Sequence, residues 1–451
     1  MGLQTDTHFI FTRYDTSQAD GTINFHYSLH TPRNTYNFTE RLITPKGAMN
    51  AFKNIEEGTF ANILQALHLA LGISYWKTFC PKKISINTYT LSHRQADFWN
   101  EFYTKGLGEF YYKNSLDFRQ MVQFPFDDDR SYATLERRAY AKRALVLLGA
   151  GKDSIVTSEL LAKSENEFSL FTLNKHPIQS EAAGIIGKPV VTVRRFIDPQ
   201  LFQLNKESGV YNGHIPITAV YMLAGVLAAA LFDYRYVISS NEESANYGNV
   251  RYLGHEINHQ WSKSFEFELL LKEYINEFIS PDILCFSFLR PLKEIKVAEI
   301  FSNYPKYFHT FTSCNTNFTI NGITPTAKWC GICPKCAFVF LILAAFLPKE
   351  TVVTIFNKNM LSDADLLGLY KELIGVEGFK PFECVGTPEE ALYAFSLIFK
   401  KGEFQTDSIV KTLEPTVTLL LRQKPLLEES MRSVSGNHNV PEEFLPLLSI
   451  L

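Results

Sequence analysis

The sequence has few charged residues and no excess of either sign. Charged residues make up 20% of its 451 positions, and 44 Lys and Arg nearly balance 47 Asp and Glu, for a formal net charge of −3. Proteins that bind nucleic acid or acidic membranes through a broad surface are usually strongly basic. We therefore expect a small-molecule ligand, and neither a nucleic-acid nor a membrane partner.

The sequence also lacks a segment suited to export or membrane insertion. Its beginning, MGLQTDTHFIFTRYD, is polar at once and has no apolar signal core. The longest uncharged stretch, residues 215–232, contains Pro216, Thr218 and Gly225 and has no basic flank. A buried helix is therefore predicted there rather than a membrane span, and a cytoplasmic location is expected.

Seven cysteines are an odd number, and their placement does not favour a disulfide framework. Four of them lie within 23 residues: Cys314, Cys330, Cys333 and Cys336. Short C-x2-C steps are typical of tetrahedral Zn²⁺, and a closed four-sulfur site would be structural, joining residues 314–330 to the apolar helix that begins at Ala337. Redox-active or sulfur-carrying cysteines, as in tRNA thiolases, and plain packing cysteines remain alternatives.

Length and composition predict a packed chain of about three domains. We assign an N-terminal α+β domain to residues 1–138, an α/β core to 139–350 and a helical cap to 351–451. The first contains three short alternating segments typical of antiparallel strands, helices near 62–71 and 92–105, and a linker near 124–138. The cap contains four predicted helices, at 363–374, 388–400, 407–412 and 415–422.

In the core, apolar strands alternate with helices. Strands are predicted at 144–149, 168–173, 188–195 and 236–240, and helices at 154–163, 219–232 and 337–347. This alternation predicts a doubly wound parallel sheet with helices on both faces. Ligands of such sheets bind beyond the carboxyl ends of the strands.

A turn of small residues joins the first core strand to its helix, in the sequence ALVLLGAGKDS. It comprises Gly149, Ala150, Gly151, Lys152, Asp153 and Ser154. Backbone N–H groups and the helix dipole would bind an anion there. The turn fits neither the Walker A nor the GxGxxG pattern. It resembles the PP-loop, Ser-Gly-Gly-x-Asp-Ser, of ATP pyrophosphatases with a HUP-like core; the alternative is a simple turn with Ser154 near an N-cap.

The PP-loop resemblance implies a role for each position. Gly149, Gly151 and Ser154 would cradle pyrophosphate, Lys152 would neutralise it, and Asp153 would hold Mg²⁺. Two positions depart from the pattern, because Gly149 stands where the first Ser is usual and Ala150 stands where a Gly is usual. We therefore expect the backbone at Ala150 not to need a positive φ.

Polar residues follow the strand at 236–240. Asn241 and Glu242 are candidates for binding the nucleotide, with Glu242 on Mg²⁺ or a ribose, and Ser244 is a candidate for the substrate. His214 follows Asn212-Gly213 just before a helix, and is either a substrate ligand or structural.

The segment INHQWSKSFEFE is dense in hydrogen-bonding groups. It supplies Asn258, His259, Lys263 and Glu266. Such a density suits a substrate with several carboxylates and phosphates. The alternative is a solvated helix start.

Seven motifs in order resemble one family over about residues 144–395. They are LLGAGKDS, NGHIP, SNEESANYGN, NHQWSKSFEFE, SFLRPLKE, WCGICPKCAFVFL and KPFECVGTPEE. They are similar to the bacterial UDP-N-acetylmuramoyl-L-alanyl-L-glutamate epimerases, called MurL. The resemblance implies an ATP- and Mg²⁺-dependent inversion of the terminal L-Glu to D-Glu, which releases AMP and pyrophosphate in peptidoglycan precursor synthesis.

This reaction requires acid/base groups. Adenylation of the α-carboxylate would make the α-proton removable, because an unmodified carboxylate has nowhere to place a second negative charge. Inversion then needs two acid/base groups on opposite faces, or one mobile group. Glu383 and Cys384 form one candidate set, and His259, Lys263 and Glu266 form the other; we expect one group from each.

Some assignments remain open on the sequence alone. Cys384 could equally be a small buried hydrophobe. Arg290 is a candidate partner for the substrate's side-chain carboxylate or for phosphate. Two other functions compete: a PP-loop ligase or amide/nitrile synthase, such as the 7-cyano-7-deazaguanine synthases with their similar cysteines, and a non-catalytic adenine-nucleotide-binding protein.

Overall fold

A nine-stranded sheet organises the chain. The computed structural model describes residues 6–17, 19–45, 48, 55–129, 135, 137–318 and 327–449. Its strands are β1 His8–Ser17, β2 Thr22–His30, β3 Thr35–Ile43, β4 Lys83–Ile86, β5 Ala144–Leu147, β6 Phe168–Leu173, β7 Val190–Phe196, β8 Tyr236–Ser239, β9 Val250–Tyr252, β10 His255–Ile257 and β11 Leu284–Ser287. The strand order is β11-β8-β5-β6-β7-β3-β2-β1-β4, and β9 with β10 forms a separate ribbon.

The helices cover both faces of this sheet and form the C-terminal region. They are α1 Glu57–Trp76, α2 His93–Gly106, α3 Gly108–Lys113, α4 Lys152–Leu161, α5 Pro177–Ile186, α6 Pro199–Leu204, α7 Ile217–Phe232, α8 Phe265–Phe278, α9 Glu294–Phe301, α10 Pro334–Ala344, α11 Lys349–Phe356, α12 Leu367–Leu373, α13 Pro388–Lys401, α14 Ser408–Gln423, α15 Leu427–Arg432 and α16 Pro446–Ser449. In the part of the chain that the structure describes, no helix combines the length and hydropathy needed to cross a membrane.

Five strands form the predicted parallel sheet. β11, β8, β5, β6 and β7 run parallel, and β5, β6 and β8 are buried along their whole length. Their continuous apolar sequences suit strands covered on both faces. The chain leaves β5 towards β6 and β7 and then returns to β8 on the other side. The topological switch point therefore lies between β5 and β8, where such sheets bind ligands.

The N-terminal strands continue the same sheet. The three predicted antiparallel strands are confirmed as β1, β2 and β3, and β3 pairs with β7 of the core. A buried ion pair, in which Arg195 Nε lies 2.5 Å from Glu40 Oε1, joins the two halves at this junction. The pairing of β3 with β7 thus joins the two domains that the sequence divides at residue 138. Of the predicted linker 124–138, residues 130–134 and 136 lie outside the described part.

The C-terminal region is helical, with one correction. The two helices predicted at 407–412 and 415–422 are one helix, α14, with Pro415 inside it. A proline removes one backbone hydrogen bond and leaves the carbonyl four residues earlier without its partner. Here that residue, Lys411, and Pro415 itself are both exposed, so water can satisfy the carbonyl.

Candidate active site

The loop between β5 and α4 lies at the switch point and leaves open space above it. Gly151 is the N-cap residue of α4, and Ser154 Oγ donates to the Gly151 carbonyl at 3.1 Å. A Cβ built on Gly149 would meet no atom within 4 Å, whereas one on Gly151 would lie 3.0 Å from Ser313 Oγ. The loop therefore presents its backbone to a space that can receive an anion at a helix N-terminus.

The conformation of Ala150 corrects the sequence expectation. Its φ is +60°, in the left-handed region, although alanine carries a Cβ. The turn from strand to helix requires this conformation, and the Ala150 carbonyl accepts a hydrogen bond from Thr312 N at 3.3 Å. An L-residue other than glycine pays about 1–2 kcal/mol for it, so the loop stores strain at the candidate ligand site.

Lys152, to which the PP-loop resemblance assigns the neutralisation of pyrophosphate, lies inside the protein. Its side chain is 1% exposed, and its Nζ lies 2.8 Å from Glu294 Oε1 and also contacts Asp153. Burial alone would lower the pKa of Lys152, but the carboxylates of Asp153 and Glu294 raise it instead. Lys152 is therefore a fixed cation that organises carboxylates beneath the loop.

Several carboxylates gather around this lysine. Glu294 also lies 3.3 Å from Lys335 Nζ, and Glu242 is buried in the same cluster. Burial, Glu294 and Asp153 together raise the pKa of Glu242. The Asp153 side chain keeps access to solvent, with 27% exposed. Carboxylate oxygens beside a phosphate-binding loop suit Mg²⁺, so Asp153 and Glu242 are the residues that fit this ion.

A second cluster surrounds Cys384. Lys263 Nζ lies 3.2 Å from Cys384 Sγ, and His259 is within hydrogen-bonding reach of the same sulfur. On its other side, His259 Nδ1 is hydrogen bonded to Glu109 Oε2. His214 Nδ1 lies 3.5 Å from the same Glu109 oxygen, and the two imidazole rings are 4.5 Å apart. The cluster thus joins α3, the loops before α7 and α8, and the segment before α13.

The charges in this cluster favour a thiolate. Burial alone would raise the pKa of Cys384, but Lys263 and His259 outweigh it and lower the pKa to about 5. Burial would lower the pKa of His259, but its hydrogen bonds with Cys384 and Glu109 raise it to about 9. Near neutral pH the pair is therefore a thiolate and an imidazolium. Burial and His259 lower the pKa of His214 to about 3, so this ring is neutral.

The two clusters are neighbours. Burial would lower the pKa of Lys263, but Cys384 and Glu242 raise it, with a further contribution from Asp153. Lys263 therefore lies between the carboxylates under the loop and the thiolate.

Glu383 lies beside the second cluster. Burial is the main cause that raises its pKa. Its carboxylate accepts a hydrogen bond from the amide of Asn315, which directly follows the first cysteine of the quartet. Glu383 thus joins Cys384, Lys263 and His259 as a candidate acid/base group.

Glu266 and Arg290 both have partners within the chain. The Glu266 carboxylate accepts hydrogen bonds from Lys105 Nζ at 2.6 Å and Trp261 Nε1 at 3.0 Å, and about half of the side chain is exposed. Arg290 is fully buried, where its Nε lies 3.0 Å from Glu268 Oε2. Its other nitrogens donate to the carbonyls of Glu242 and Lys263. Arg290 therefore positions two site segments and does not present its guanidinium to a ligand.

Three polar candidates also form internal contacts. Asn241 Nδ2 donates to Ser239 Oγ at 3.2 Å, and Asn258 Nδ2 donates to the Ala245 carbonyl at 2.9 Å. Ser244 Oγ donates to Glu390 Oε1 at 2.7 Å. These side chains hold the loop after β8 in shape, whereas the sequence had suggested ligand contacts for them.

The four clustered cysteines form a compact set. Their sulfur atoms all lie within 4.8 Å of one another, with Cys330 3.6 Å from Cys336 and Cys314 3.9 Å from Cys333. Zinc with bonds of about 2.3 Å to four sulfurs requires separations of about 3.8 Å, whereas a disulfide would require about 2 Å. The geometry therefore fits a tetrahedral metal ion.

Glu109, His214 and His259 also lie within 4.8 Å of one another. His259 Nδ1 is hydrogen bonded to Glu109, and Cys384 contributes to the raised pKa of the same imidazole. This arrangement is better described as a carboxylate that orients an imidazole.

Sequence reasoning missed four charged residues: Glu109, Glu268, Glu294 and Lys335. Glu294 and Lys335 belong to the motifs SFLRPLKE and WCGICPKC, so a charged residue in each motif was a usable signal. Glu109 stands in GLGEFYYK, which has no recognisable pattern. Only the fold brings it to His259.

Comparison with known proteins covers most of the chain. Residues 3–288 match the MurL N-terminal domain and residues 310–426 match the MurL C-terminal domain. These matches divide the chain between 288 and 310, and the three-part division at 138 and 350 stays a prediction.

Curated relatives match over similar lengths, and each is named UDP-N-acetyl-alpha-D-muramoyl-L-alanyl-L-glutamate epimerase. One from Xanthomonas oryzae pv. oryzae is 38% identical over 84% of this chain and 83% of its own. One from Micromonospora sp. is 36% identical over 98% and 97%, and one from Salinispora tropica is 35% identical over 90% and 88%.

Proposed function

The chain belongs to the MurL family, and we propose that it inverts the terminal L-Glu of UDP-MurNAc-L-Ala-L-Glu to D-Glu in peptidoglycan precursor synthesis. The observation that carries this proposal is the juxtaposition of an anion-binding loop with a cluster of proton-transfer groups. Activation and proton exchange at one carbon require these two parts side by side.

The loop at 149–154 would bind ATP. The backbone at Gly149 and Gly151 and the N-terminus of α4 would receive its phosphates. Asp153 and Glu242 would hold Mg²⁺, which supplies positive charge to the phosphates when bound. The α-carboxylate of the terminal glutamate would attack the α-phosphate, forming an acyl-adenylate and releasing pyrophosphate. This step gives the α-carbon an acyl group that stabilises an enolate.

Proton exchange would then take place at the second cluster. His259, Lys263, Glu383 and Cys384 supply the acid/base groups. Lys263 Nζ and Cys384 Sγ are only 3.2 Å apart, so they cannot flank a tetrahedral carbon on opposite faces. In this conformation they serve one face, and Glu383, whose pKa is raised, is the candidate for the other.

The cysteine quartet would hold a structural Zn²⁺. All four sulfurs are used, so no position stays open for catalysis. The ion would fix the turn that carries Asn315, the hydrogen-bond donor to Glu383. The zinc ion would therefore have a structural role and take no part in the reaction.

One assay tests the proposal. The protein is incubated in D₂O with ATP, Mg²⁺ and UDP-MurNAc-L-Ala-L-Glu, while pyrophosphate and deuterium at the glutamate α-carbon are followed. We expect pyrophosphate, AMP and deuterium incorporation with formation of the D-Glu product. Pyrophosphate without deuterium would instead support a ligase or amide synthase, and no pyrophosphate would support a nucleotide-binding protein without turnover.

A matched pair of variants locates the first step. Asp153→Asn should abolish pyrophosphate release while the far-UV circular dichroism stays unchanged. Asp97→Asn, at an exposed position on α2, should behave as wild type. Near-normal pyrophosphate release by Asp153→Asn would remove Asp153 from the site.

A further inference from the structure

We propose that Cys384 is a nucleophile that takes the glutamyl group from the adenylate and carries it as a thioester during inversion. This inference deepens the proposed function and rests on it. It assigns a covalent intermediate to a residue whose expected part was to exchange a proton.

The contacts of Cys384 are those of an activated nucleophile. Its sulfur lies 3.2 Å from Lys263 Nζ, His259 helps to lower its pKa, and Nδ1 of that imidazole is held by Glu109. A nucleophile, a base and a carboxylate that orients the base recur in enzymes that form acyl intermediates. Glu109 is itself fixed by Lys113, 2.5 Å away. Glu109 therefore fixes the orientation of the His259 imidazole.

The two cations beside the sulfur weaken it as a base more than as a nucleophile. Each unit by which the pKa of a thiol falls lowers its proton affinity tenfold, but lowers the nucleophilicity of the thiolate only about threefold, since the Brønsted coefficient is about 0.4–0.5. Over the shift of Cys384 from 9 to about 5, the thiolate fraction at neutral pH rises about a hundredfold. This gain offsets the loss in nucleophilicity, whereas a base whose pKa lies near 5 has little driving force for taking an α-proton at neutral pH.

Formation and hydrolysis of the thioester require only the acyl-adenylate and water. The Cys384 thiolate attacks the carbonyl carbon of the acyl-adenylate, the C–S bond forms, and the C–O bond to AMP breaks with its electron pair on AMP. After inversion, water attacks the thioester, a C–O bond forms, and the C–S bond breaks to restore the thiolate. One water proton passes to His259 and then to solvent, and the other is released to solvent when the product carboxyl group ionises. The net cost is the hydrolysis of ATP to AMP and pyrophosphate.

Acylation would also prepare the proton transfer. The Cys384 thiolate is one of the two hydrogen-bond partners that keep His259 protonated, and it is a main cause of the raised pKa of Lys263. A thioester carries no charge, so both groups release their protons more readily once it forms. The neutral His259 then lies beside the acyl group, able to act on the α-proton or on water.

A trapping experiment tests the thioester. Wild type and His259→Gln, which lacks the base for hydrolysis, are mixed with ATP, Mg²⁺ and UDP-MurNAc-L-Ala-L-Glu, quenched in acid at times from milliseconds to minutes, and examined by intact-protein and peptide mass spectrometry. We expect an adduct of the substrate mass minus water on the peptide with Cys384. It should accumulate in His259→Gln and disappear with neutral hydroxylamine.

Two further variants make the outcome decisive. Adding Cys384→Ala to His259→Gln should remove the adduct while pyrophosphate release continues, and Cys285→Ala, a buried cysteine outside the cluster, should leave it unchanged. Pyrophosphate release with no adduct in either wild type or His259→Gln would overturn the thioester and leave the proposed function standing. An adduct that survives Cys384→Ala would overturn it as well. Absence of pyrophosphate in wild type would instead refute the proposed function itself.

Discussion

Lys263 Nζ lies 3.2 Å from Cys384 Sγ, although 121 positions separate the two residues. The lysine comes from the turn before α8 and the cysteine from the irregular segment before α13. Both are partly buried, so water screens the interaction between their charges less than at an exposed site. This contact defines the reactive state of the cysteine, and it leads to the first prediction.

Lys263→Met should raise the pKa of Cys384. Lys263 makes the largest of the contributions that outweigh burial and lower this pKa to about 5. Methionine fills a similar volume without the charge, so the group should titrate higher and its thiolate fraction at pH 7 should fall. Iodoacetamide labelling from pH 5 to 9, followed on the Cys384 peptide, should be nearly flat above pH 6 in wild type. In the variant it should rise through pH 7–9, with at least a tenfold loss of rate at pH 7.

The control is Lys296→Met, because Lys296 pairs with Glu299 on α9, away from the thiolate. Its labelling curve should coincide with that of wild type. Coincident curves for Lys263→Met and wild type would show that the contact does not control the thiol.

Arg290→Met should destabilise the protein rather than weaken substrate binding. It would leave the buried carboxylate of Glu268 without its cation and two site carbonyls without their donor. Breaking a buried pair on one side costs about 3–5 kcal/mol, which urea unfolding would measure. The exposed Arg251→Met should change little. An unchanged unfolding midpoint with a raised KM would instead place Arg290 at the substrate.

Ala150→Gly should leave stability unchanged or raise it by up to about 1.5 kcal/mol. Relief of the left-handed strain at φ +60° gains about 1–2 kcal/mol, while the greater freedom of unfolded glycine costs about 0.4–1 kcal/mol. The same exchange at Ala61, inside α1, should destabilise by about 1 kcal/mol. Thermal unfolding of both variants would show whether each substitution raises or lowers the stability. Equal losses would show that the turn does not strain Ala150.

Local patterns predicted the fold well. The apolar runs ALVL and FSLFTL predict buried parallel strands, and the strand order seen in the structure places the small-residue turn after β5 at the switch point. The sequence predicts two helices where α14 is one, because proline commonly ends a helix, whereas the exposed side of α14 tolerates the lost hydrogen bond.

The site was predicted in part. The sequence predicts one acid/base group from FECVGT and one from NHQWSKS on opposite faces of the substrate; the structure places Cys384 of the first motif 3.2 Å from Lys263 of the second. The inward direction of Lys152 could not be anticipated, because its partner Glu294 lies 142 positions away. Glu109 is a similar case, since only tertiary contact joins it to His259. Motif spacing therefore identifies polar residues that come together in the fold. Only the tertiary structure shows which of them are buried against internal partners and which can contact a ligand.

The cysteine quartet should bind one Zn²⁺ per chain that holds the fold. Its sulfur separations of 3.6 and 3.9 Å match four-sulfur zinc. Elemental analysis should give about one zinc in wild type and in Cys285→Ser, and much less in Cys336→Ser, because Cys336 is the ligand buried at the start of α10. Removal of the metal with a chelator should lower the unfolding temperature, since the ion's binding energy contributes to folding, and zinc should restore it. Metal-free protein with an unchanged unfolding temperature would contradict a structural site, and persulfide on these cysteines would support sulfur transfer instead.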